Sequence, residues 1–189
     1  SVFENKRDGS AFRDAKTGRI IFQINSRQDV GRGMAADIDP TTPGVEMWSA
    51  SQRGYYDVKG QHHQPHIALP QNSAVWWDGD LLRELLDRNA ILKYDHLNPA
   101  VHTLVNFRAQ GCSFNNGSKQ NPCLSADILG DWREEVILRN HASTQLHIYS
   151  TTIPTIESAL TPLIKDGKIK EIVDFRDESD INGLKFTID

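Results

Sequence analysis

The sequence predicts an all-β fold assembled from repeated blades, and three observations predict it. Apolar runs are short, rich in β-branched and aromatic residues, and bounded by Gly, Pro, Asn and Asp, the make-up of strands and turns. Three segments share one plan, an acid-bearing turn that feeds a strand: Ala36-Asp-Ile-Asp-Pro before Val45-Glu-Met-Trp, Trp77-Asp-Gly-Asp before Arg83-Glu, and Ala126-Asp-Ile-Leu-Gly-Asp before Glu134-Glu-Val. They recur at about 40 to 50 residues, the repeat of a propeller blade built from a four-stranded sheet.

Taken in order, Phe12, the turn from Asp14 to Gly18 and the run Arg19-Ile-Ile-Phe-Gln-Ile read as a hairpin. Val45-Glu-Met-Trp-Ser alternates as a half-buried strand. Residues 52–72 are polar, show no period, and read as a long loop that carries His62, His63 and His66. Ser73-Ala-Val-Trp-Trp is a strand. Leu81, Leu82, Leu85 and Leu86 fit one or two helical turns or a further apolar strand, and residues 89–110 alternate loosely. A strand starts near Val136 and another covers Gln145-Leu-His-Ile-Tyr. Residues 155–164 allow a short helix until Pro162, Lys165-Asp-Gly-Lys makes a hairpin turn, and residues 169–175 alternate as a strand. The expected division is a blade-forming region, 1–155, and a divergent β-rich tail, 156–189.

With 189 residues, 38% hydrophobic and 24% charged, the chain has the length and composition of one folded domain. A net charge of -4 without a Lys/Arg block argues against nucleic acid or an anionic membrane as partner. No apolar run approaches the roughly 20 residues of a membrane span. Beginning at Ser1, the chain reads as a mature or excised piece. Cys112 and Cys123 flank the Asn116-Gly turn and allow either a disulfide or two free thiols.

The acid-bearing turns suit a hard dication, which takes about six to eight oxygen ligands. Candidate Ca2+ ligands are Asp37, Asp39 and Glu46 in the first copy, Asp78 and Asp80 in the second, and Asp127, Asp131 and Glu135 in the third. The same aspartates also fit a plainer task, capping turns through side-chain hydrogen bonds. Glu134 and Glu135 alternate faces on a strand, so only one can reach its own turn. The three loop histidines, with no cysteine near, read as solvated rather than as a zinc site. Two further features remain. Arg32 stands between Gly31 and Gly33, which let a ligand approach the backbone, and Lys119 follows the Asn115-Asn-Gly-Ser turn, which presents it outward either to solvent or to a ligand.

Together Gly31-Arg-Gly-Met-Ala-Ala-Asp-Ile-Asp-Pro, Trp76-Trp-Asp-Gly-Asp-Leu-Leu-Arg-Glu, Asn115-Asn-Gly-Ser-Lys, Ala126-Asp-Ile-Leu-Gly-Asp-Trp-Arg-Glu-Glu-Val and Ile148-Tyr-Ser-Thr-Thr-Ile-Pro-Thr resemble the rhamnogalacturonan lyases of polysaccharide lyase family 11, collinearly over residues 12–155. The resemblance implies part of an eight-bladed β-propeller with calcium-stabilised loops, and β-elimination at galacturonate in the rhamnogalacturonan I backbone of pectin. It implies Arg32 and Lys119 as catalytic residues and Asn116, Gly117 and Ser118 as substrate-binding ones, with Ser118 where threonine is more usual. Lysine would take the C5 proton while cations neutralise the neighbouring carboxylate, and a second cation beside a lysine favours the neutral amine that a base has to be. Since the matching part holds about three blade units, a catalytically incomplete, calcium-binding carbohydrate-binding fragment is the alternative. A pectic partner further implies secretion or a periplasmic or cell-surface location, and open blade edges imply self-association.

Overall fold

A computed structural model describes residues 2–5, 9–27, 29–153, 169–174 and 184–188. Their regular structure is antiparallel β, with two single-turn 3-10 segments at Arg108–Gln110 and Gly117–Lys119. The all-β expectation holds. The chain divides into two compact units, Ser1–Trp77 with Leu82–Ser150, and Asp78–Leu81 with Thr151–Asp189.

The first unit begins with β1 (Val2–Asn5), β2 (Gly9–Arg13) and β3 (Ile20–Ile24), paired in sequence order. The β2–β3 turn is the expected hairpin: Asp14 Oδ1 accepts Thr17 N at 2.8 Å and Thr17 Oγ1 at 2.7 Å, and Asp14 O accepts Gly18 N at 2.9 Å. A four-stranded sheet follows, β4 (Gly33–Ala36), β5 (Glu46–Ser49), β6 (Tyr55–Tyr56) and β7 (His62–His63), again in order. Its last two strands fall within the stretch expected to be loop. They are two residues long, too short to show a period, and are held by ring stacking of Tyr55 on His63 and Tyr56 on His62 with centroids 5.4 and 4.5 Å apart.

The next sheet is β8 (Ser73–Val75), β9 (Glu84–Asp87), β10 (Ala90–Asp95) and β11 (Ala100–Asn106). Of the leucine run, Leu85 and Leu86 thus resolve as strand, while Leu81 and Leu82 lie in the bend before it. A third comparable sheet has β14 (Glu135–Asn140) at its centre, β12 (Cys112–Ser113) and β13 (Leu124–Ala126) along one edge, and β15 (Leu146–Tyr149) along the other. None of the described sheets closes on itself. In the second unit β16 (Ile169–Asp174) pairs with β17 (Leu184–Ile188), so the strand expected at 169–175 is present. The helix and hairpin turn expected within 155–168 lie outside the described residues.

Two hydrophobic clusters sit on opposite faces of the β8–β11 sheet. Ala74, Leu85 and Tyr94 pack with Ala36, Ile38, Trp48 and Tyr55 on one side, and Val75, Leu86 and Ile91 with Phe107, Val136 and Leu138 on the other. Leu85 and Leu86 are both fully buried, each worth roughly 1.5 to 3 kcal/mol of transfer free energy. A strand buried on both faces has no polar alternation, which is why its leucines do not reveal their period in sequence.

The repeated acid turns have a shared architecture. Glu46 and Glu84 open the second strand of their sheets and Glu135 the third of its own; each is buried and turns back into its own loop. Glu46 Oε2 accepts Ile38 N at 2.8 Å and Asp39 N at 3.0 Å, Glu84 Oε2 accepts Trp77 N at 2.9 Å, and Glu135 Oε2 accepts Ile128 N at 2.9 Å and Leu129 N at 3.1 Å. The residue just before that glutamate fastens successive sheets together. Arg83 N donates to Asp37 O at 2.7 Å, and Glu134 N donates to Trp76 O at 2.8 Å. Glu134 also accepts Trp76 N at 2.9 Å, so of the adjacent pair Glu135 reaches its own turn and Glu134 the preceding sheet.

Candidate active site

Two loops far apart in sequence meet at one cavity of about 630 Å3. The first is the lead-in to β4, where Gly31 takes φ +67 and its N–H donates to Asp29 Oδ1 at 3.0 Å. An added Cβ at Gly31 would stand 2.7 Å from the Ala50 Cβ, so glycine is required there on both counts. Arg32 O accepts Ala50 N at 3.1 Å, which fixes the arginine backbone while its side chain enters the cavity.

The second loop is the Asn-Asn-Gly-Ser-Lys turn between β12 and β13. Asn115 and Asn121 close it through N–H···O bonds of 2.7 and 3.2 Å, Asn116 Nδ2 donates to Asn121 Oδ1 at 3.0 Å, and Lys119 N donates to Asn116 O at 2.9 Å. Asn116 and Gly117 have φ +60 and +50, values that asparagine and glycine tolerate best. Arg139 Nε donates to Asn115 Oδ1 at 3.0 Å and ties the turn to β14. Ser118 and Lys119 line the cavity together with Arg32.

A direct bond joins the two loops. Arg32 Nη1 donates to Lys119 O at 3.0 Å and also to Asn72 Oδ1, while Asn72 Nδ2 donates to Asp87 Oδ1. The cavity carries Arg32, Arg88, Arg108 and Lys119 against Asp29 and Asp87, a two-charge positive excess in a chain of net charge -4. Asn72, Asp87, Arg88, Asn89 and Arg108 have no motif to mark them. The one usable signal is the polar Arg88-Asn89 pair between the apolar strands β9 and β10.

The aspartates of the acid turns differ from one copy to the next in what they contact. Asp78, Asp80 and Glu84 place carboxylate oxygens within 4.8 Å of one another, a group that can bind a metal ion, and it is the one such group of three among the described residues. Asp39 Oδ1 accepts Thr41 N at 2.9 Å and its Oδ2 accepts the Tyr55 hydroxyl. Burial pushes the Tyr55 phenol far up, with the Asp39 carboxylate adding to the effect. Asp37 lies at the end of β4, on the sheet-to-sheet bond described above. Asp127 accepts Gly130 N at 2.6 Å, Asp131 N at 3.1 Å and Trp132 N at 3.0 Å, and Asp131 pairs with Arg133 at 2.6 Å. Burial raises Glu46 to about 7 against the pull of its hydrogen bonds. Cys112 and Cys123 are both free thiols, Cys112 buried with its Sγ 3.0 Å from the Tyr149 hydroxyl.

Antiparallel sheets repeated with one loop architecture, and a polar cavity with surplus cations between their loops, define a β-repeat domain suited to a hydrophilic, anionic ligand. The chain belongs to rhamnogalacturonan lyase family 11: the model of that family's C-terminal domain matches residues 1–180, past Thr155. It is 47% identical over 163 residues to the rhamnogalacturonan endolyase YesW of Bacillus subtilis (strain 168), covering 86% of this chain and 26% of YesW. It is 42% identical over 159 residues to the rhamnogalacturonan exolyase YesX of the same organism, covering 76% of this chain and 26% of YesX. Among solved structures, the Bacillus licheniformis rhamnogalacturonan lyase PL11 superposes with a TM-score of 0.74 at 50% identity, over 80% of this chain and 25% of that one. The chain thus spans about a quarter of the length of these relatives.

Proposed function

We propose that this chain supplies the arginine–lysine part of a rhamnogalacturonan lyase cleft, which cleaves the polymer by β-elimination at galacturonate. The observation that carries the reading is the meeting of Arg32 and Lys119, 87 positions apart, at one cavity through a 3.0 Å hydrogen bond. Arg32 pairs with the galacturonate carboxylate and draws off the charge that otherwise opposes loss of the C5 proton. Lys119 takes that proton, the electron pair forms the C4–C5 double bond, the C4–O bond to rhamnose breaks, and the departing rhamnose oxygen takes a proton from water to leave as a hydroxyl. Asn116, Gly117 and Ser118 hold the sugar beside the lysine.

The three comparable sheets are read as blades of a larger propeller. Supporting this are the repeated glutamate-to-loop bonds and the two sheet-to-sheet bonds at equivalent positions. The Leu124–Ile137–Ile148 ladder across the last sheet leaves Leu124 and Ile148 44% and 62% exposed, a face for a following blade or a second copy to cover. Asp78, Asp80 and Glu84 supply oxygen donors of the type calcium takes, and would hold it with further oxygens. The ion, when bound, neutralises these carboxylates and stiffens their turn. A pectic polymer as substrate favours a secreted, periplasmic or cell-surface location.

The test is the absorbance of the unsaturated product on rhamnogalacturonan. Lys119→Ala is expected to abolish product while the polymer still binds. Undiminished product formation would overturn the lysine's role, and binding without product in the wild-type chain would favour a carbohydrate-binding module instead.

A further inference from the structure

The cavity holds more cations than removal of one proton requires. Besides Arg32 and Lys119 it is lined by Arg88 and Arg108, whose guanidinium groups make no hydrogen bond or ion pair with another described residue. Arg88 and Asn89 form the two-residue turn between β9 and β10 with φ +49 and +60. Glycine, asparagine or aspartate satisfies such a turn without strain, so an arginine at its first position is not there for the backbone's sake.

The turn is also braced. Arg88 N donates to Asp87 Oδ1 at 2.8 Å, the carboxylate that holds Asn72 and through it Arg32. Asn89 O accepts Phe107 N at 2.8 Å, immediately before Arg108, and Asn89 Oδ1 accepts Phe114 N at 2.6 Å, on the approach to the lysine turn. One short hairpin therefore sets the backbone positions from which Arg88, Arg108 and Lys119 reach the same cavity.

We propose that Arg88 and Arg108 form a second carboxylate subsite, which grips a galacturonate of the polymer other than the one being cleaved. This rests on the lyase reading above, because rhamnogalacturonan alternates galacturonate with rhamnose and so presents carboxylates at a regular interval along the cleft. A planar guanidinium takes a carboxylate through two parallel hydrogen bonds, which fixes position as well as charge. Two anion subsites at a set separation hold the chain in register, with the scissile galacturonate at Arg32 and Lys119.

The experiment is calorimetric titration of the full chain, in a Lys119→Ala background, with rhamnogalacturonan fragments that carry one or two galacturonates. The background chain binds the two-galacturonate fragment more tightly, and Arg88→Gly and Arg108→Gln are each expected to weaken that binding at least tenfold and to erase the difference between fragments. Arg88→Gly is also expected to raise the melting temperature, since glycine adopts φ +49 freely. A stabler protein with weaker selective binding separates loss of a ligand contact from damage to the fold. An unchanged preference for the two-galacturonate fragment overturns the subsite, as does equal weakening toward both fragments. Binding is read apart from turnover, so selective binding through Arg88 by a chain that forms no unsaturated product with Lys119 intact would keep the subsite and overturn the lyase reading.

Discussion

Arg32 reaches the lysine turn through Lys119's own carbonyl, with Nη1 donating at 3.0 Å, and the same nitrogen donates to Asn72 Oδ1. The arginine side chain and the lysine backbone are thus parts of one bonded frame that continues through Asn72 to Asp87. Asn72 touches neither reacting atom in the proposed mechanism. It acts by fixing the direction of the guanidinium. Asn72→Ala is expected to lower kcat roughly ten- to hundredfold with little change in KM, the signature of a misplaced group. An equivalent rise in KM with kcat unchanged would mark Asn72 as a substrate contact instead, and rescue of kcat by Asn72→Gln would support the positioning role.

The adjacent acids Glu134 and Glu135 separate fold-holding from surface chemistry. Glu135 is buried and satisfies the amides of Ile128 and Leu129, whereas the side chain of Glu134 is 18% exposed and bonds to Trp76 N and Arg83. Removing a partner from part-buried amides costs up to about 1 to 3 kcal/mol for each one left unsatisfied. Glu135→Ala is therefore expected to destabilise by about 3 kcal/mol and Glu134→Ala by about 1 kcal/mol. Urea unfolding checks the order, and equal losses would refute the division of labour.

Local chemistry was readable in the sequence where one turn decides the outcome. The Asp14 turn, the glycines around Arg32 and the asparagine-glycine turn before Lys119 all carry their geometry in adjacent residues. Long-range chemistry was not. Asn72 gains its task from Arg32 forty positions away, and Arg88 and Arg108 become neighbours of the cavity only when β9, β10 and the 3-10 turn after β11 have packed. The leucines of β9 failed as a pattern for a related reason, since burial on both faces removes the polar half of a strand's alternation.

The carboxylates of Asp78, Asp80 and Glu84 crowd one another, with the Lys93 ammonium 3.2 Å from Glu84 Oε1 offsetting part of their charge, and a dication among them would offset more. Calcium at a hundredfold excess over its dissociation constant is expected to raise unfolding stability by about 2.7 kcal/mol, and a chelator to reverse this. Asp78→Asn with Asp80→Asn should remove the calcium-dependent rise in melting temperature while leaving the apo protein as stable or more so. A rise that survives both substitutions would place the ion elsewhere.

Glu46 sets an unusual pH dependence. Its Oε1 faces the Thr42 hydroxyl, whose single proton also has Asp39 O as acceptor at 3.1 Å. A protonated Glu46 resolves the competition by donating to Thr42 Oγ1, and Thr42 then donates to Asp39 O. Burial pushes the carboxyl in the same direction, from 4.5 to about 7. The folded chain therefore holds a proton that the unfolded chain releases. Glu46's contribution to stability is present in full below about pH 4.5 and is lost as the pH rises through about 7, by an amount on the order of 3 kcal/mol. Asp39 runs the other way. Burial opposes its charge, but hydrogen bonds from Thr41 and Tyr55 outweigh that and hold its carboxyl below 3.8, so its contribution is lost only as the pH falls through the acid range. Glu46→Gln keeps the acceptor for Ile38 and Asp39 and supplies a permanent donor to Thr42. Urea midpoints at pH 5 and pH 8 should fall with pH in the wild type and stay level in the variant, leaving the variant the more stable at pH 8. A wild type that is equally stable at both, or a variant weaker at pH 8, would mean that Glu46 is ionised in the folded chain.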